Sequence, residues 1–174
     1  MTMALRPAVF LDRDDTLIRD KGYMHRKEDL VWLPGAIAAV RAINDAQHLA
    51  IVVTNQSGIG RGLFTEADMH AFHAAMQADL AAAGAHIDAF YFCPFHEDAT
   101  IPAFRVADHP DRKPNPGMVL RAMAEHQVDP SRAVMIGNEQ RDLDCAHRAG
   151  IRGLLTDGGD LAALVRRALA PGPA

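Results

Sequence analysis

The stretch Val9–Thr16 reads V-F-L-D-R-D-D-T, an apolar run that ends in three carboxylates and a threonine. Alternation along an extended chain sends Asp12 and Asp14 to the same side of a sheet edge, where a phosphate and a divalent cation can meet. One acid can then attack phosphorus while the other gives and takes a proton. Alone, Asp-x-Asp equally describes a solvated turn after a strand, so the rest of the chain must decide. Two further polar tips follow apolar runs, Thr54-Asn55-Gln56-Ser57-Gly58 and Gly137-Asn138-Glu139. The Thr54 hydroxyl and the backbone N–H groups after it suit phosphoryl oxygens. Lys113 offers a point charge for a phosphoryl group, and Arg112 a planar fork for substrate oxygens.

Strand-like runs recur at Ala8–Leu11, Leu49–Thr54, Ile87–Cys93, Ala133–Ile136 and Gly153–Thr156. Ala- and Leu-rich stretches of helical spacing separate them. This alternation predicts an α/β fold, a doubly wound parallel sheet with helices on both faces. Pro34 is expected to open a helix running to about Gln47. Thr65-x-x-Asp68 reads as a capping box for a helix to about Ala83. Pro116 would open a third helix and Gly150 close a fourth. Ligands bind at the carboxyl ends of strands in such sheets, so the three polar tips should converge there. Two long segments fit no regular element: Arg19–Leu33 reads as a small flap and Pro94–Lys113 as a substrate-facing loop. Ala170–Ala174 is Pro/Gly-rich and expected to fray.

At 174 residues, 49% apolar and 23% charged, the chain reads as one soluble domain spanning 1–174 with a core of about 7–169. A net charge of −4 leaves no electrostatic footprint for nucleic acid. Met1–Pro7 lacks a leader-like apolar core, and no stretch is long enough to cross a membrane, so a cytoplasmic protein is expected. Cys93 and Cys145 suggest no disulfide framework. Met69, Phe72, Met76 and Leu80 are spaced as core, and His70 and His73 read as surface or helix-packing residues. Arg166-Arg167 reads as a solvated helix face. With no coiled-coil period and no apolar surface stripe, a monomer is expected.

Five spaced elements together carry a resemblance: Phe10–Asp14, Gly22-Tyr23, Val53–Gly62 with its T-N-Q-S-G-I-G-R-G string, Arg112-Lys113-Pro114-x-Pro116-Gly117, and Ile136-Gly137 with Asp142. Over roughly residues 8 to 156 the chain resembles haloacid dehalogenase-type phosphatases, within the small-capped group of D-glycero-D-manno-heptose 1,7-bisphosphate phosphatases and histidinol-phosphatases. The resemblance implies a Rossmann-like core with a minimal cap and Mg²⁺ held by Asp12, Asp14 and Asn138. Asp12 would be the nucleophile that forms an aspartyl-phosphate, and Asp14 the general acid and base. It further implies substrate binding by Asp20, Lys21, Gly22, Tyr23, Thr54, Asn55, Gln56, Ser57, Arg112 and Lys113. The implied substrate is a small phosphorylated metabolite, a heptose bisphosphate losing its 7-phosphate in lipopolysaccharide core biosynthesis. Histidinol phosphate is the close alternative, and a catalytically silent phosphosugar- or partner-binding relative is the alternative of another class.

Three departures from the family pattern matter. Asp15 stands where the family has glycine; aspartate tolerates a left-handed backbone. Its charge about 6 Å from a phosphoryl group would cost on the order of 3 kcal/mol at an effective dielectric of 20, so an outward orientation is expected. Asn138 replaces a metal-binding aspartate, which weakens the Mg²⁺ site unless Glu139 or Asp142 restores the charge. Asp15 and Asn138 thus read as a compensated pair. Relatives carry a loop zinc on Cys-x-His and Cys-x-Cys; here only Cys93 matches and Phe95 stands at the histidine position. An improvised set of Cys93, His96, His109 and Asp108 or Asp111 is conceivable. A metal-free loop pinned by Phe95, Ile101, Phe104 and Val106 is the expectation, so structural zinc is not expected.

Overall fold

The computed structural model describes residues 4–170; Met1–Met3 and the tail beyond Ala170, including most of the stretch expected to fray, lie outside the described residues. Five strands, β1 (Arg6–Leu11), β2 (Leu49–Asn55), β3 (Ala89–Cys93), β4 (Val128–Gly137) and β5 (Arg152–Leu155), form one sheet in the order β3-β2-β1-β4-β5. Every pairing is parallel, as the strand–helix alternation implies. Helices α1 (Ala36–Asp45), α2 (Ser57–Gly60), α3 (Glu66–Ala82), α4 (Gly117–His126), α5 (Gln140–Arg148) and α6 (Leu161–Leu169) complete the fold.

Strand β1 explains why the sheet has two cores. Val9 and Leu11 point to the face covered by α1, α3 and α6, with Val40, Ile43, Phe72, Met76 and Val165. Ala8 and Phe10 point to the other face, with Met118, Val119 and Ala122 of α4 and Cys145 and Ala146 of α5. A strand buried on both faces is apolar at every position rather than at alternate ones, which is why Ala8–Leu11 is legible as a run. In α1 the buried residues Ala36, Ala39, Val40 and Ile43 follow a helical stripe. Met69, Phe72, Met76 and Leu80 of α3 are core, and Thr65 and Asp68 form the expected capping box. Arg166 and Arg167 are exposed in the last turn of α6.

Boundaries differ where local backbone overrides pattern. Helix α1 begins at Ala36 because Gly35 takes φ 75 in the preceding turn, against the Asp160 cap of α6, so Pro34 lies outside the helix. It ends at Asp45, and Gln47 is left-handed at φ 58. Pro116 serves as the N-cap of α4, and Gly150, at φ 75, follows α5. Strand β3 starts at Ala89, two residues later than Ile87. Strand β4 starts at Val128, well before Ala133, because Val128 pairs with Arg6 across a register shift. The exposed polar residues between hide that extension in the sequence.

The Arg19–Leu33 segment is the expected flap. It contains a 3₁₀ turn at Lys27–Asp29, and Leu33 N–H donates to the Leu17 carbonyl at its base. Met24 is buried, His25 stacks on Phe64 at 5.0 Å, and the Trp32 indole donates to Asp79 of α3 at 2.9 Å. These contacts seat the flap on α3 and on Phe64 in the link that precedes it, beside the carboxyl ends of the strands.

Candidate active site

Strand β1 keeps pairing one residue past its end, where Asp12 N–H donates to the Ile136 carbonyl at 3.0 Å. The chain then turns sharply: the Arg13 carbonyl accepts from the N–H groups of Leu17 and Ile18, and Asp15 sits at φ 55. Asp12 and Asp14 consequently line one cleft of about 300 Å³ at the carboxyl ends of the strands. Arg13 points the other way, into the core.

Asp12 is 8% exposed and accepts from the Lys113 ammonium at 2.6 Å. The same ammonium donates to Asp142 at 2.8 Å. Burial pushes the Asp12 carboxyl up to about 6, against the pull of Lys113 and with help from the neighbouring Asp142 and Asp14 charges. Burial pulls the Lys113 ammonium down, but its two carboxylate partners win and raise it overall. Lys113 is held in place by its own backbone: its N–H donates to the Asn55 side chain at 3.0 Å, and its carbonyl accepts from the Asn55 amide at 3.1 Å. The tip of β2 thereby fixes the loop that carries the lysine.

Asp14 is gripped by a bidentate fork, Arg13 Nε to Oδ1 at 2.9 Å and Nη2 to Oδ2 at 3.1 Å. Gln56 Nε2 donates to Oδ2 at 2.9 Å and to the Thr54 hydroxyl at 2.8 Å. Arg13 itself is fully buried, with Phe72 beneath its guanidinium at 5.1 Å and His73 Nε2 at 3.2 Å from Nη1. A guanidinium only donates, so His73 Nε2 accepts and the ring proton sits on Nδ1. Burial, with the Arg13 and His70 charges, pulls the His73 imidazole down to about 3. The ring is therefore a neutral acceptor, stacked on Phe90 at 4.2 Å.

The cleft gathers Asp12, Asp14, Asp20, Gly22, Tyr23, Asn55, Gln56, Ser57, Arg112, Lys113 and Asn138, eleven of the residues expected from the sequence. Two are placed differently. Thr54 is buried below the lining residues, its hydroxyl engaged by Gln56, one position before the strand's end at Asn55, which does reach the cleft. Lys21 is exposed and outside the lining, at the outer turn of the flap. Asp15 is exposed but lines the cleft rather than turning away from it as expected, and its carboxylate accepts the Asp20 N–H at 2.9 Å, bracing the flap.

Of the two acids that could restore charge beside Asn138, Asp142 has both carboxylate oxygens engaged, whereas Glu139 is paired through one. Asp142 serves Lys113 and also accepts the Glu139 N–H at 3.1 Å in the capping box of α5. Glu139 pairs with Arg141, its carboxylate accepting from Arg141 Nε at 2.7 Å. Sequence reasoning missed the anchoring roles of Arg13, His73 and Asp142. The only signal for Arg13 was a cation between two acids; its partner His73 lies 60 positions away. In the 94–113 loop, Phe95 stacks on His109 at 3.9 Å and packs edge-on to Phe104, while the ring nitrogens of His96 and His109 accept backbone N–H groups of Asp98 and Asp111. Cys93, His96, His109, Asp108 and Asp111 are not gathered into a metal-binding cluster among the described residues.

The family model described as HAD-hydrolase-like matches residues 111–172. The D-glycero-beta-D-manno-heptose-1,7-bisphosphate 7-phosphatase of Rhodopseudomonas palustris is 42% identical over 165 residues, covering 94% of this chain and 91% of that protein. The chain belongs to the haloacid dehalogenase-like heptose-1,7-bisphosphate 7-phosphatase family. The D-glycero-D-manno-heptose-1,7-bisphosphate 7-phosphatase of Thermosynechococcus vestitus is 46% identical over 160 residues, covering 88% of this chain and 80% of that protein. Among solved structures of this family, the D,D-heptose 1,7-bisphosphate phosphatase from B. bronchiseptica, complexed with magnesium and phosphate, superposes with a TM-score of 0.81. It is 29% identical, covering 94% of this chain and 98% of that one. A HAD-like phosphatase from Mesorhizobium loti superposes with a TM-score of 0.85 at 32% identity, covering 95% of this chain and 87% of that one.

Proposed function

We propose that this protein is a magnesium-dependent phosphatase that removes the 7-phosphate of D-glycero-D-manno-heptose 1,7-bisphosphate through an aspartyl-phosphate on Asp12. The observation that carries the chemistry is the buried Asp12–Lys113–Asp142 cluster with Asp14 beside it in one cleft. Family membership carries the substrate. Asp12 attacks phosphorus, the bond to the leaving oxygen breaks, and Asp14 gives its proton to that oxygen. Water then gives a proton to Asp14 as it attacks phosphorus, and the bond to Asp12 breaks to release phosphate. Lys113 holds Asp12 in line and screens the phosphoryl charge. Asn55, Gln56, Ser57 and Arg112 face the substrate from the end of β2, the start of α2 and the 94–113 loop, and Asp20, Gly22 and Tyr23 face it from the flap.

The donor set fits a hard cation, since it consists of oxygens. Asp12 and Asn138 would offer side-chain oxygens. The Asp14 main-chain carbonyl accepts no hydrogen bond among the described residues and is the oxygen it would offer, leaving the carboxylate, held by Arg13 and Gln56, for the proton. Bound there, Mg²⁺ supplies charge neutralisation between the carboxylates and the phosphoryl oxygens.

The whole chain is read as one such domain, monomeric and cytoplasmic; its two free cysteines are buried, in keeping with a reducing compartment. No helix among the described residues is long and apolar enough to cross a membrane. The test is a panel of heptose bisphosphate, histidinol phosphate and other phosphate esters assayed with Mg²⁺, with Asp12→Asn as control. Phosphate release from heptose bisphosphate at the highest kcat/KM, abolished in Asp12→Asn, is the expected result. Preference for histidinol phosphate would overturn the substrate, and ligand binding without turnover on any ester would overturn the activity.

A further inference from the structure

The lone pairs of Asp14 are unevenly used. A carboxylate oxygen offers about two good acceptor positions. On Asp14, Oδ2 accepts from both Arg13 Nη2 and Gln56 Nε2, so it is filled. Oδ1 accepts from Arg13 Nε alone. The orientation that leaves Oδ1 open is set by a guanidinium with almost no freedom of its own. Arg13 lies above Phe72, its Nη1 donates to His73 Nε2 at 3.2 Å, and its Nη2 reaches the Met24 carbonyl of the flap at 3.4 Å. Phe72 and His73 are neighbours on α3, and Phe90 of β3 clamps the imidazole.

We propose that Arg13, braced by His73, is the positioning residue of the proton shuttle, holding the Asp14 carboxylate in one orientation with Oδ1 as the oxygen that gives and takes the proton. The inference rests on the reading of Asp14 as general acid and base. A desolvated guanidinium cannot shed its charge, and each of its buried N–H groups needs an acceptor. Without His73, Nη1 has none, and the guanidinium turns to find one, carrying Asp14 with it. His73 offers that acceptor because its ring stays neutral, with Nδ1 buried and without a hydrogen-bond partner among the described residues. The Met24 contact joins the flap to the same guanidinium, so the flap and the shuttle share one support.

The test separates positioning from mere stability. A misplaced acid slows expulsion of a poor leaving group far more than a good one, because an alkoxide needs the proton and a nitrophenolate does not. His73→Phe, His73→Gln, Arg13→Lys and Asp14→Asn are compared at saturating Mg²⁺ on an alkyl phosphate and on 4-nitrophenyl phosphate. Alcohol release is followed in a single turnover, and folding is checked by circular dichroism. His73→Phe should slow release of the alkyl alcohol about 10-fold and leave KM within about two-fold, with 4-nitrophenol release falling less than about three-fold. His73→Gln, whose amide oxygen can accept from Nη1, should recover most of the loss. Arg13→Lys, which keeps the charge without the fork, should lose about 100-fold on the alkyl ester. If His73→Phe does not fold, His73→Asn, with an amide too short to reach Nη1, takes its place in the same comparison. Equal loss on the two esters, or wild-type release of the alkyl alcohol from the folded variant, would overturn the inference. Asp14→Asn distinguishes the two failures: if it turns over the alkyl ester normally, the reading of Asp14 itself is wrong.

Discussion

Asp12 is held by opposing forces, and their balance fixes how the protein answers to pH. Its carboxyl rises from 3.8 to about 6 because burial outweighs the attraction of Lys113. The folded chain therefore binds this proton more tightly than the unfolded chain does. The resulting stability is present below about pH 4 and is lost as pH rises through 6. In metal-free protein at pH 8, Asp12→Asn should be more stable than the wild type by on the order of 2 kcal/mol, a gain that fades below pH 5. Melting temperatures in chelator from pH 4.5 to 8 will read this directly; a variant less stable at pH 8 would reverse the sign and refute it. A second prediction concerns Asn138. If Asn138 holds the cation as proposed, Asn138→Asp adds a carboxylate to the donors and should lower the Mg²⁺ concentration for half-maximal activity about 10-fold. Because the Asp15 carboxylate is tied to the Asp20 backbone, Asp15→Gly should not alter that gain. A coupling above about 1 kcal/mol in the double-mutant cycle would instead support the compensated pair that the sequence suggests.

At the scale of elements, the site depends on how α5 leaves β4. Gly137 ends the strand, and a Cβ there would overlap the Asp142 carboxylate. Asp142 is both the N3 residue of the α5 capping box and a partner of Lys113, so one displacement would disturb the helix start and the lysine together. Gly137→Ala should lower kcat at least about 10-fold and destabilise the fold by roughly 1–3 kcal/mol. Parallel assay and urea unfolding of the purified variant will check both, and unchanged activity would show that Asp142 has room to move. This juncture also marks how far the sequence could be read. Buried parallel strands announce themselves as apolar runs, so β1 and β2 are visible, as are the three polar tips and the capping box at Thr65. The start of β4 was hidden by its exposed polar residues, and the start of α1 by the left-handed Gly35. Arg13 and Asp142 were visible as residues but not as anchors. Their roles exist only through partners 60 and 29 positions away, which no local period encodes.

At the scale of the molecule, a parallel sheet brings its strand tips to one edge, and here that edge concentrates charge of the wrong sign for the substrate. Among the described residues, Asp12, Asp14, Asp15, Asp20, Glu139 and Asp142 line the cleft, against Arg112, Lys113 and Arg141. Lys113 is already committed to two of the acids, and Arg141 is paired with Glu139. A phosphate dianion thus meets an acidic edge on a chain whose net charge is −4. Its binding should require a divalent cation, and by linkage phosphate should tighten the cation in return. Inorganic phosphate alone should therefore raise the melting temperature by less than about 1 °C. Mg²⁺ and phosphate together, each at about 100 times its dissociation constant, should add on the order of 3 kcal/mol beyond Mg²⁺ alone, a rise of several degrees. The sign of that cooperativity is what the arrangement of the whole sheet edge dictates. An equal shift with phosphate in chelator would mean that Arg112 and the backbone N–H groups after Thr54 suffice to hold the anion, and that the acidic edge does not govern binding.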